Sequence, residues 1–112
     1  MTKELVGNYI RAHRRRCGLS QRELGVLVGY GHGYAVGKHE RSSAAPPLLV
    51  ALAYEVVFGV PIAQLFTGFH SVVTRSVAQN LQELKVELEN QSRSRTGSNP
   101  EKTQWLLKQR IN

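Results

Sequence analysis

No long helix can run through the first 67 residues. Gly18, Gly29 and Gly59 interrupt stretches whose apolar residues otherwise repeat at helical spacing, and Pro46-Pro47 and Pro61 break the chain between them. Glycine adopts the left-handed conformation that ends a helix without a Cβ penalty, while proline is accepted at a helix's first turn and rejected inside it. With apolar residues at helical spacing between the breaks, this punctuation reads as several short helices packed together, an all-α fold.

Residues 3–17 predict an amphipathic helix with Leu5, Val6, Tyr9, Ile10 and His13 on one side. Its other side and its end carry Arg11, Arg14, Arg15 and Arg16, cations suited to a helix C-terminus, and Gly18 stops it. Ser20 and Glu23 form a capping box ahead of Leu24, Leu27 and Val28, and Gly29 ends that helix. A glycine-rich stretch follows, from Tyr30-Gly31-His32-Gly33-Tyr34 to Arg41. Pro46-Pro47 then open a longer helix with Leu48, Leu49, Leu52, Ala53, Val56 and Val57 at helical spacing, before Gly59 and a short turn ending in Leu65-Phe66. A long helix is expected over 70–91, where Val77, Leu81, Leu84 and Leu88 make a narrow 4-3-4 seam. Gln91-Ser92-Arg93-Ser94-Arg95-Thr96-Gly97-Ser98 has the composition of a linker, and Asn99-Pro100 caps a last helix containing Trp105, Leu106, Leu107 and Ile111. The expected organisation is one helical domain over 1–68, a long helix over 69–91, and a linker with a short amphipathic helix over 92–112.

Charge narrows the partners. Fifteen Lys and Arg against eight Asp and Glu leave a net charge of +7, which favours a polyanion: nucleic acid first, an anionic membrane surface second. The single Cys excludes an intrachain disulfide and fits a reducing, cytoplasmic compartment. No apolar run approaches the roughly 20 residues of a membrane span, and Met1-Thr2-Lys3-Glu4 leads into no signal-peptide core.

One set of residues then stands out by order and spacing. Ile10-Arg11 is followed by Gly18-Leu19-Ser20-Gln21-Arg22-Glu23-Leu24-Gly25, Gly29, Val36-Gly37-Lys38-His39-Glu40-Arg41, Leu52-Ala53 and Val60-Pro61-Ile62-Ala63-Gln64-Leu65-Phe66. This pattern resembles the phage-repressor and Cro type of helix-turn-helix regulator, the Xre-like family. The resemblance covers about half of the chain. It implies a five-helix lambda-repressor-like DNA-binding domain with a C-terminal helical extension. It also implies that the chain is not an enzyme, carries no cofactor or metal, and binds double-stranded DNA as a homodimer to regulate transcription. The resemblance makes the glycine-rich segment the recognition helix, with Tyr34, Lys38 and His32 as base-contacting residues. Phosphate contacts are expected from Arg14, Gln21, Tyr30, Arg41, Ser42 and Ser43, Gln21 because it begins a helix whose free amides favour an anion. Glu40 is expected to brace the fold. Two departures from the family pattern carry consequences: the turn between Gly29 and Val36 is one residue longer than usual, and Gly33, Ala35 and Gly37 offer no hydrogen bonds to bases. Each glycine inside a helix costs about 0.5–1 kcal/mol, so the recognition helix is expected to be only partly formed until DNA is present.

Other signals carry less. Gly31-x-Gly33-x-x-x-Gly37 lacks the preceding strand that gives a nucleotide-binding loop its meaning. His13 and Cys17 share a helix face, with His32 and His39 nearby in sequence, but zinc needs three or four convergent ligands. No Gly-x-Ser-x-Gly elbow or partnered carboxylate pair suggests a hydrolase. The seam Val77, Leu81, Leu84 and Leu88 suits dimerisation better than packing on the body, since two half-sites raise specificity. Trp105-Leu106-Leu107 suits either a terminal helix folded on the body or a grip on a protein partner, as in an antitoxin or adaptor.

Overall fold

The computed structural model describes residues 7–94 and 100–109. Its described residues form seven helices and no strand: α1 (Ile10–Arg16), α2 (Gln21–Leu27), α3 (Tyr34–Glu40), α4 (Leu48–Phe58), α5 (Ile62–Leu65), α6 (Thr67–Ser94) and α7 (Pro100–Lys108). The chain divides into two compact units after Val72, inside α6 rather than at residue 68.

The first unit surrounds one core of Ile10, Leu24, Val28, Val36, Tyr54, Leu65 and Phe66, with Val50, Ala53, Val57, Phe58 and Phe69 packed against it. Within it α2 packs on α3, α4 on α5 and α1 on α3. Three helices in succession end in the same way. After α1 the N–H of Leu19 donates to Arg14 O and that of Gly18 to Arg15 O. After α2, Tyr30 donates to Gly25 O and Gly29 to Val26 O. After α3, Ser43 donates to Lys38 O and Ser42 to His39 O. This paired pattern is the Schellman motif, which needs a left-handed residue just past the helix. Gly18 (φ 73°) and Gly29 (φ 108°) take it without strain, whereas Ser42 takes it at φ 57°.

The first helix starts later than its periodicity suggests. Leu5 and Val6 lie outside the described residues, and α1 begins at Ile10 because the carboxamide oxygen of Asn8 accepts the Ile10 N–H at 3.0 Å. Asparagine side chains compete for backbone donors in this way and set helix starts. Gly7 and Tyr9 are instead tied to the far end of the unit, Tyr9 N–H donating to Leu65 O and Gly68 N–H to Gly7 O.

The Ser20–Glu23 capping box is present, with Glu23 Oε1 accepting the Ser20 N–H at 2.8 Å and Ser20 Oγ accepting the Glu23 N–H at 3.0 Å. These bonds hold the Glu23 carboxyl below the usual carboxylate range. Pro47 precedes α4 and Gly59 (φ 67°) ends it. Helix α4 buries Ala51 and Tyr54; of the residues at helical spacing in the sequence, Ala53 and Val57 pack on the core, whereas Leu48, Leu49, Leu52 and Val56 face solvent.

In the second unit α6 runs on through Gln91–Ser94, into the segment expected to be a linker; residues 95–99 are outside the described ones. Its half-buried residues are Thr74, Ala78, Leu81, Lys85 and Leu88. This stripe shares Leu81 and Leu88 with the predicted seam but replaces Val77 and Leu84, which are exposed, by Ala78 and Lys85. Pro100 occupies the first position of α7, where its missing N–H costs nothing. Leu106 is buried, while Trp105 and Leu107 are exposed. No helix among the described residues is long and apolar enough to cross a membrane.

Candidate nucleic-acid interface

Two glycines decide how α3 sits on α2. A Cβ on Gly25 would lie 2.0 Å from the carbonyl oxygen of His32, and one on Gly33 would lie 2.7 Å from the backbone of both Gln21 and Arg22. Both contacts are with backbone, which cannot swing aside. The absence of two side chains is therefore what lets the turn over 28–33 close and bring the start of α3 against the start of α2. Gly33 lies at the N-cap of α3, not inside it, and α3 runs without interruption from Tyr34 to Glu40. Of the two glycines expected inside the recognition helix, only Gly37 lies within it. With no side chain at the N-cap, the first N–H of α3 is taken by the neighbouring residue: Tyr34 N–H donates to His32 Nδ1 at 3.2 Å. Of the two His32 nitrogens, only Nε2 is left for an outside partner.

The outward side of α3 carries Tyr34, 67% exposed, and one turn later Lys38, whose Nζ lies 4.8 Å from the Tyr34 ring centroid. A cation–π contact of this kind is worth roughly 0.5–1 kcal/mol at an exposed site and holds the ammonium over the ring. Gly37, one residue before Lys38, has no side chain of its own and is buried under those of its neighbours. Arg41 Nη1 and the Gln21 carboxamide lie 3.1 and 3.5 Å from where its Cβ would be. Gln21 and Arg41, twenty residues apart in sequence and both exposed, thus converge over one point of α3.

The nominated phosphate residues divide. Arg14 is a correction: it is 9% exposed, its Nε and Nη2 donate to Glu40 at 2.5 and 3.2 Å, and its Nη1 donates to Leu19 O at 2.9 Å. Hydrogen bonding to the carboxylate raises its pKa further. Each of its three guanidinium nitrogens donates within the protein, so it is a brace between α1 and α3. Glu40 Oε1 also accepts from Gln21 Nε2 at 3.2 Å, which makes one carboxylate the junction of α1, α2 and α3. The Tyr30 ring belongs to the rim of the core, 6.0 and 6.1 Å from the rings of His32 and His39. Ser42 Oγ accepts from Asn8 Nδ2 at 2.9 Å, and Ser43 Oγ donates to Lys38 O at 3.3 Å, so both hydroxyls secure the end of α3.

Two residues were not singled out by sequence. Asn8 also donates to His39 O at 2.9 Å and fastens the corner after α3 to the start of α1. The available signal was an Asn just before a basic helix, a common start residue. Arg22 is exposed next to Gln21, with its backbone against Gly33. Its place in the second position of α2 was the signal.

Behind this surface His39 is buried on the inner side of α3, with Nδ1 2.7 Å from Tyr54 Oη. Burial pushes the imidazole pKa down and the Tyr54 phenol up, so the pair is neutral. Comparison with protein-family models, curated proteins and solved structures finds no match to this chain.

Proposed function

We propose that the chain is a sequence-specific DNA-binding regulator of transcription, of the phage-repressor and Cro type that its sequence resembles. In this reading α1–α5 form the five-helix lambda-repressor-like domain, α2 lies across the DNA backbone and α3 enters the major groove. The observation that carries it is the seating of α3 on α2 through Gly25 and Gly33, which presents Tyr34 and Lys38 outward beside Gln21 and Arg41. Lys38 donates to guanine O6 or N7, Tyr34 meets a base edge or a thymine methyl, and His32 contributes through Nε2. Gln21, Arg22 and Arg41 meet phosphates; Arg14 does not. Two base-reading side chains on a glycine-bearing helix give modest direct readout, so DNA shape and a paired half-site supply the rest.

The test is selection of binding sites from fragmented genomic DNA at low and moderate salt, repeated with Lys38→Ala. The expected outcome is an enriched inverted repeat. For Lys38→Ala, specific binding weakens by about 1–3 kcal/mol while binding to random DNA is unchanged. Equal loss on both kinds of DNA would make Lys38 a phosphate contact, and no enriched motif would remove sequence reading from the function.

A second reading rests on α7, where Trp105 and Leu107 are exposed although Leu106 is buried. An exposed aromatic anchor on a short helix is the form of a grip on a protein partner, as in an antitoxin or adaptor.

A further inference from the structure

Helix α4 is apolar on the side where a surface helix is ordinarily polar. Its inner side meets the core through Val50, Ala51, Ala53, Tyr54, Val57 and Phe58. Its outer side carries Leu48, Leu49, Leu52 and Val56, exposed by 70, 78, 41 and 82%. At about 100° per residue these four fall within one arc of roughly 100°. Leu48, Leu52 and Val56 make a single i, i+4, i+8 ridge, with Leu49 in the adjoining row. Four aliphatic side chains this open present on the order of 500 Å², near the upper limit for a patch on a monomer.

The charge pattern says what can cover it. Between residues 42 and 74 the only Lys, Arg, Asp or Glu is Glu55, and its carboxylate is engaged in accepting the Ile62 N–H at 3.0 Å. All fifteen Lys and Arg lie outside that stretch. Two copies of a chain with net charge +7 repel each other overall, and this uncharged face lets them meet without placing like charges opposite one another.

We infer that the outer face of α4 is the surface through which two copies of this chain associate. A two-fold axis near Leu52 sets the ridge of one copy into the groove beside the same ridge of its partner, an isologous contact. Ridges of i±4 spacing interlock at about −50°. A standard interface takes about 800 Å² from each partner, and Ala45 and Pro47, both exposed beside the helix start, extend the patch toward that size. The inference supplies the surface for the paired binding proposed above, in place of the α6 seam, but it does not require DNA.

The test is sedimentation of the full chain without DNA across a range of concentrations up to about 100 μM. The wild type is expected to be a dimer at the upper end, and Leu49→Glu combined with Val56→Glu to shift dissociation at least about tenfold toward monomer. Both positions are exposed and glutamate is a good helix former, so circular dichroism and thermal melting are expected to stay near wild type. Leu84→Glu on α6 is expected to leave the dimer intact. Should the double variant lose its fold, Leu52→Cys in a Cys17→Ser background decides the matter: mild oxidation links two copies if Leu52 lies at the axis. A wild type that stays monomeric overturns the inference, and so does a dimer that survives both α4 charges but not Leu84→Glu. Absence of the Leu52→Cys crosslink counts against it equally. Failure of DNA binding in a normally associating protein would strike only the functional proposal.

Discussion

Arg14 and Arg41 are the same residue type in two opposite settings. Arg14 sits in a run of three arginines, where a basic helix end points to solvent and phosphate, yet its guanidinium is buried against Glu40 and Leu19. Arg41 is exposed and converges with Gln21 over Gly37. Which arginine of the run turns inward depends on the rotation of α1 against α3, and a sequence pattern fixes the helix period without that rotation. His39 is a second case of a polar residue turned inward. Its folded pKa is lowered by burial beneath the ordinary value of 6.5 that it regains on unfolding. Between the two values the unfolded state binds more protons, so stability rises with pH. The contribution is full above about pH 6.5 and is lost as pH falls below that value. Thermal melts should therefore show a lower Tm at about pH 5.5 than at about pH 7.5. His39→Gln should flatten the difference, and a pH slope unchanged by that substitution would show that other groups set it.

At the scale of elements, one residue type does opposite things at neighbouring positions. Gly25→Ala would drive a methyl into the His32 carbonyl, so the α2–α3 junction must open. The expected loss is about 1–3 kcal/mol or more, the usual cost of overpacking where only backbone can yield. At Gly37 the nearest obstacle is the flexible end of exposed Arg41 at 3.1 Å. Gly37→Ala should thus gain up to about 1 kcal/mol of helix propensity, while pushing Arg41 aside and weakening DNA binding. Denaturant melts of the two variants check the signs; two destabilised proteins would mean that Arg41 is held more firmly than its exposure indicates. The same contrast explains what the glycines concealed in the sequence. Gly18, Gly29 and Gly59 were legible as helix stops because a left-handed stop is a local requirement. Gly25 and Gly33 were not, because their reason is a backbone seven residues away in one case and eleven in the other. Ser42 closes α3 as a glycine would, but its hydroxyl also takes the Asn8 carboxamide, a long-range gain that offsets part of the left-handed strain.

At the scale of the whole molecule, charge and apolar surface are segregated along the chain: all of the Lys and Arg lie outside residues 42–74, and the exposed aliphatic face of α4 lies inside that stretch. If the basic remainder binds DNA phosphates, Arg22→Ala and Arg41→Ala should each weaken binding to any DNA and lower the slope of log affinity against log salt by about one. Unchanged slopes would take both residues out of the phosphate contacts. The sequence by itself determined the all-helical class, the stops at Gly18, Gly29 and Gly59, and the Ser20–Glu23 cap. Each of these follows from interactions within one or two turns of chain. Tertiary structure alone decided that Arg14 braces the fold, that Asn8 reaches the corner after α3, and that α6 half-buries Ala78 and Lys85 in place of Val77 and Leu84. It alone also decided which side of α4 meets the core. Helix α4 is apolar on nearly every side, so its sequence has no polar face to orient it. The packing of Tyr54 against His39 and Phe66, with Val50 and Val57 on the core beside it, fixes its rotation and leaves Leu48, Leu49, Leu52 and Val56 outside.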